Sequence, residues 1–485
     1  MNPTLRQRLL AIPPFVWLLL LLLAWVVMVA LSLVLGGSGF LHPESYSFLP
    51  HYLSGRPLLE LIYDNRVTDW GNYQARELGF VFDWLDCQFI AWCESRGYPH
   101  WVSISHYLLF LLAGLALWRI ATNYLALSRI AAFGLVLLLW TCPTAILYSS
   151  FYRAAKVGLL TASLLTIWAW LGASREDASW PRLRVLSFGI LAASLPMFDK
   201  QGLIFLAGFL LFLGSNVFFS PSPRTRQLFV AGLVAAVFAW TYQRFIGPAL
   251  TYHLLGYEVN RGYASIPFRE LATHPKFLGN VVFGALLFTL DSFRIPLGNL
   301  PVGLALLAGA GIWRVLPGAL AGQSSWRSSR WLFAGLALLI AGVFAAMLMV
   351  FPMMFSNEHR RLFYPLPVAA FWFVVVAAAL AEAVRRWPRH AQWVEIGLFA
   401  LVLGNLFALQ DHRFLFRHGK YQPYIENAAR VRSALLPANL RLAGVDPAEA
   451  AALLAAAPYF RDDVPPSLRE DRIFLLFLSR HASTP

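Results

Sequence analysis

From Pro14 to Gly36 the chain runs without a single charged side chain, and similar apolar runs recur along most of its length. A helix needs roughly 20 apolar residues to cross a bilayer, because lipid offers no partner to an exposed peptide group. The later runs fall at about 103–121, 129–148, 155–173, 184–198, 202–219, 227–247, 298–316, 331–354, 364–384 and 393–409. With the first, that makes about eleven spans of an all-α polytopic membrane protein. Of the residues, 58% are hydrophobic and only 13% charged, which excludes an ordinary soluble globular domain.

The first run is too long for the apolar core of a signal peptide and has no small-residue cleavage site, so it reads as a retained span. Arg6 and Arg8 on its near side place the N-terminus in the cytoplasm. The short loops holding Arg119 and Arg129, then Arg175, Arg182 and Arg184, then Arg224 and Arg226, all fall on the same inner side. The run 277–290 is short and is interrupted by Asp291, Arg294 and Pro296. Read as a re-entrant or interfacial helix, it keeps Arg314, Arg327, Arg330, Arg385, Arg386 and Arg389 inside. The C-terminus is then outside, on the periplasmic face of a bacterial inner membrane. The net charge of +14 fits cytoplasmic loops and anionic headgroups, and no motif supports a nucleic-acid partner.

This register divides the chain into a transmembrane domain, 1–409, and a small extracytoplasmic α/β appendage, 410–485. The long outer loops are 37–102 and 251–297. Within the first lies the densest run of charge in the chain: Asp64, Arg66, Asp69, Arg76, Glu77, Asp83 and Asp86. Asp69 is a good N-cap, and a helix starting there stacks Asp69, Tyr73 and Glu77 on one face. A carboxylate beside a bilayer can take a proton from a hydroxyl or hold a divalent cation. A capped, solvated helix accounts for the same spacing. Cys87 and Cys93 are six apart, which on a helix is too far to bridge, so both read as half-buried thiols.

Two other outer segments carry charge. The run Asn357 to Pro365 holds His359, Arg360, Arg361 and Tyr364 at the end of a span, and paired guanidiniums suit a phosphate. Arg and Tyr at such a depth also serve as plain membrane anchors. Asp199 and Lys200 sit in a turn between two spans, while Arg153 and Lys156 flank another outer turn; both could add charge for a phosphate. No phosphate-binding glycine loop, zinc-protease motif or nucleophile elbow occurs.

The segment Asp69-Trp-Gly-Asn-Tyr73-Gln-Ala75-Arg76-Glu77-Leu78 resembles the first-loop pattern Asp-Glu-x-x-Tyr, then Ala/Ser-Arg-Glu-Met, of protein mannosyltransferases and lipid A aminoarabinose transferases. These belong to the GT-C superfamily of integral membrane glycosyltransferases. The run 359–365 is similar to the Arg-Tyr-x-x-Pro segment at a late outer span end in the same group. Trp70 stands where the pattern has a second acid, and the interval from Tyr73 to Arg76 is two residues shorter. The resemblance implies a polyprenyl-phosphate sugar as donor, an extracytoplasmic glycan, lipid or protein as acceptor, and the bilayer as partner. It implies Asp69, with Glu77, in catalysis, and Arg360, Arg361, Lys200 and Arg153 on the donor phosphate. Tyr73, Arg76, Asp64, His359 and Tyr364 would line the substrate. The missing acid at Trp70 leaves a magnesium or manganese requirement open. A flippase of lipid-linked saccharides and a non-catalytic scaffold of the same fold are the alternatives.

Overall fold

The computed structural model describes residues 11–35, 51–65, 73–96, 103–141, 154–175, 181–219, 221–259 and 366–410. Within them the regular structure is entirely helical. The expected spans at 298–316 and 331–354, the appendage at 410–485 and the segment 357–365 lie outside the described residues.

The apolar runs fold as the bilayer rule requires. Among the described residues these runs form the helices α1 (Pro14–Leu35), α4 (Ile104–Arg119), α5 (Arg129–Trp140), α6 (Ala155–Ser174), α7 (Pro181–Phe198), α8 (Gly202–Phe219), α9 (Pro223–Thr241), α11 (Leu366–Arg386) and α12 (Ala391–Gln410). Two helices of the first loop, the short α2 (Leu58–Tyr63) and the longer α3 (Glu77–Ser95), and α10 (Gly247–Leu255) complete the described set. A π-helical turn at Ile120–Tyr124 prolongs α4, and another at Tyr242–Ile246 joins α9 to α10. Five helical stretches are long and apolar enough to cross a membrane: Pro14–Leu31, Ile104–Tyr124, Ala155–Ser174, Pro223–Leu255 and Leu366–Arg385.

Helix α6 is the centre of the bundle. It is apolar on every side and buried along almost its whole length, packed by α4, α7 and α11. Two of its hydroxyls, Thr161 and Thr166, turn back onto backbone carbonyls of their own helix. By contrast α1 exposes Phe15, Leu19, Leu23 and Val26, the composition of a lipid-facing rim. It docks through Trp17 on Trp118, with ring centroids 5.9 Å apart, and through Trp25 on Trp140 at 5.0 Å. Buried Trp140 satisfies its indole by donating to the Phe110 carbonyl at 2.8 Å.

One close approach places the site. The ring of Phe198, at the end of α7, lies where a Cβ on Gly158 of α6 would be, only 2.2 Å away. No other residue lets the α7–α8 hairpin seat so deeply against α6. That contact brings Asp199 alongside the first turn of α6.

Candidate active site

One end of the bundle collects carboxylates. Asp199 opens α8, its Oδ1 accepting from the Gln201 amide at 3.0 Å. Its Oδ2 accepts from Lys156 Nζ of α6 at 2.8 Å and pairs with Arg76 Nη2 of the first loop at 3.5 Å. Lys156 and Asp199 are 2% and 1% exposed. Burial pushes the Asp199 carboxyl up, but Lys156 and then Arg76 outweigh it and hold the group at about 2. The cluster joins three parts of the sequence far from one another.

Beside Arg76, the Tyr73 hydroxyl donates to Glu77 Oε1 at 2.8 Å. Glu77 also faces the hydroxyl of Tyr242, which shares a 2.7 Å hydrogen bond with Tyr63. Three tyrosines thus surround one buried carboxylate. Burial, then the Glu77 charge, drives the Tyr73 phenol far above its usual range, so it stays a proton donor. The Tyr73 ring covers Gly247, where a Cβ would fall 1.5 Å from its hydroxyl; only glycine fits.

The expected helix from Asp69 is corrected here. Residues 73–76 are irregular and α3 begins at Glu77. Ala75 takes a φ of +53°, in the left-handed region that breaks a helix. The hydroxyl of Tyr73 reaches Glu77 across this bend and not along a helical face. Cys87 is also corrected: it is completely buried, not half-buried.

Asp83 and Asp86 turn out to be caps for other helices. Asp83 Oδ1 accepts from the amide of Ala154 at 2.9 Å, ahead of α6. Asp86 Oδ1 accepts from Ser105 N at 2.7 Å and its Oδ2 from Ser103 Oγ at 2.5 Å, at the start of α4. Each carboxylate meets the orphan amides and positive end of a span. Burial pushes Asp86 up to about 7 in spite of the Ser103 and Ser105 bonds. Asp64 accepts from Arg56 Nη1 at 2.9 Å and from the Tyr257 hydroxyl at 3.1 Å, tying α2 to the segment beyond α10.

Of the residues expected in the site, the structure brings together Tyr73, Arg76 and Glu77, with Asp64 close by in sequence on the other side of the bend. Lys200 is half-buried in the hairpin turn, and its neighbour Asp199 is the residue that meets Arg76. Asp69, Arg153, His359, Arg360, Arg361 and Tyr364 lie outside the described residues. Among the described residues, no three of His, Cys, Asp and Glu gather as a metal site. Tyr63 and Tyr242 were not expected; a tyrosine at the end of an apolar run looks like any interfacial anchor.

No protein-family model matches the chain, and no curated protein sequence does. Among solved structures it is similar to ArnT from Cupriavidus metallidurans in the apo state. The identity is 16% and the TM-score 0.43, over 96% of this chain and 77% of that one. It is also similar to the same protein bound to undecaprenyl phosphate, at 14% identity and TM-score 0.39, over 98% and 89% of the two chains.

Proposed function

We propose that this protein is a membrane glycosyltransferase that moves a sugar from a polyprenyl-phosphate donor to an extracytoplasmic acceptor. The observation that carries the reading is the convergence of Tyr73, Arg76 and Glu77 with Lys156 and Asp199 at one end of the bundle. These first-loop residues are the ones whose pattern resembles the GT-C enzymes. They are held by buried ion pairs, which an idle solvated loop does not need. By the arginine bias of the short loops, this end is extracytoplasmic and the N-terminus cytoplasmic.

In the proposed reaction the donor enters sideways from the bilayer. Arg360 and Arg361, with Lys200 and Arg153, hold its phosphate and stabilise the charge that develops there. Asp69 takes the proton of the acceptor hydroxyl, whose oxygen bonds to the anomeric carbon. The bond from that carbon to the phosphate oxygen breaks, and its electron pair leaves with the polyprenyl phosphate. The sugar is transferred with inversion. Glu77 is the second carboxylate of the proposal, with Tyr73 fixing its orientation and Arg76 next to it in sequence.

The test is turnover of a radiolabelled polyprenyl-phosphate sugar by protein in nanodiscs, with Asp69→Asn and Glu77→Gln alongside. Release of free polyprenyl phosphate by wild type and its loss in D69N, with donor binding kept, is the expected result. Binding without release in every acceptor tried points to a lipid carrier. Full turnover by D69N removes Asp69 from the mechanism.

A further inference from the structure

Helix α3 is two-sided. Phe80, Asp83, Asp86 and Cys87 are buried against the bundle. Leu85, Phe89, Trp92 and Arg96 follow at spacings of four, three and four, which is one continuous helical stripe. That stripe points away from the protein: Leu85 is 40% and Trp92 50% exposed. Phe89 stacks on Trp92 with centroids 6.0 Å apart, and the Arg96 guanidinium lies 5.2 Å from the centre of the Trp92 ring. On the neighbouring α2, Leu59 is exposed as well.

The depth of this stripe follows from its inner face. Asp83 and Asp86 accept from the amides that open α6 and α4, so α3 lies where those two spans leave the membrane. Four carboxylates in its own sequence, Glu77, Asp83, Asp86 and Glu94, bar it from being a span. A stripe of Leu, Phe and Trp tipped by Arg at that level has the composition of a membrane–water boundary, not of a solvated loop.

We propose that α3 lies in the headgroup layer of the bilayer, its Leu85–Phe89–Trp92 face against lipid and Arg96 against lipid phosphate. The same helix then grips the bundle with its carboxylates and the membrane with its aromatic side. Because it begins at Glu77, the bilayer itself sets the height of the candidate site. This rests on the chain's being a membrane protein and not on sugar transfer.

The experiment is fluorescence quenching of wild type and Trp92→Phe in nanodiscs, taking the difference as the signal of Trp92. The lipids carry bromine either high on the acyl chain or at its end, and iodide is the aqueous quencher. The expected result is strong quenching by the shallow bromine, weaker by the deep one, and little by iodide. In anionic lipid, Arg96→Glu should weaken the shallow quenching about twofold; no change there removes Arg96 from the lipid contact. Quenching by iodide alone puts the stripe in water, and protection from all three puts it under protein. Either overturns the proposal, and neither depends on whether any sugar is transferred.

Discussion

The two ends of the bundle solve the same problem with opposite chemistry. At one end the helices α4, α6 and α8 open on carboxylates: Asp86, Asp83 and Asp199. At the other, α5 and α9 open on hydroxyls. Ser128 accepts from the Ala131 amide, and Ser222 forms a reciprocal capping box with Thr225. Helix C-termini at that end are met by arginines, Arg184 donating to the Gly172 carbonyl at 3.1 Å and Arg175 to the Asn123 carbonyl. A neutral hydroxyl is enough to stop a helix from fraying. The carboxylate end therefore carries more charge than capping requires, and its excess is buried with Lys156 and Arg76. That asymmetry supports placing the proposed chemistry at the carboxylate end.

The comparison breaks most readily at Asp199. Replacing it by alanine leaves Lys156 and Arg76 buried without their shared carboxylate, a loss of about 3–5 kcal/mol. Thermal unfolding in detergent should show a collapse of folded protein. Adding Lys156→Met to Asp199→Leu should recover part of it, since a matched apolar pair replaces a broken ionic one.

The caps come next. Asp83→Ala should cost about 1–2 kcal/mol, read as a lower unfolding temperature. Asp86 offers a pH test. Its carboxyl is pushed up to about 7 in the fold, from an ordinary value of 3.8 that the unfolded chain restores. A raised folded value means that its stabilising contribution is complete below about pH 4 and lost as pH rises through about 7. Asp86→Asn stays neutral, so it should match wild type at acid pH, gain on it from about pH 4 to about pH 7 and hold that advantage above it. Unfolding temperatures across that range check the sign; an advantage that shrinks with pH refutes the assignment.

At the hydroxyl end the effects should be smaller. Ser128→Ala removes a cap and the 2.8 Å bond to Glu395 of α12, for about 1 kcal/mol. Arg175→Gln, at the surface, should shift stability by less than about 0.5 kcal/mol.

The spans were legible because the bilayer makes a single demand on them, and runs such as 155–173 meet it almost residue for residue in α6. The site was legible only as a neighbourhood. Arg76 and Glu77 stood out as charges in the first loop, but nothing local to Asp83 or Asp86 shows that their partners are amides at residues 154 and 105. In the sequence they are only part of the densest run of charge, whereas long-range packing makes them caps. The bend at Ala75 was hidden for a related reason. Alanine is the best helix former, and only the pull of Asp199 on Arg76 and of Gly247 on the Tyr73 ring accounts for its positive φ.

The stretch from Pro223 to Leu255 spans 33 residues, about 50 Å of helix against a hydrocarbon layer of about 30 Å. It is longer than that layer is thick, like a mast taller than the deck is deep, and the π-helical turn at Tyr242–Ile246 is a collar on that mast. A π turn holds one residue more than the helix around it, so it swings whatever follows by about 100°. Below the collar the helix turns Leu228, Ala235 and Ala239 inward; above it, it offers Gly247 to Tyr73 and Thr251 to the Tyr63 carbonyl. Removing one residue from the collar would barely shorten the mast. It would turn its upper part away from the first loop, so that Gly247 and Thr251 no longer meet their partners.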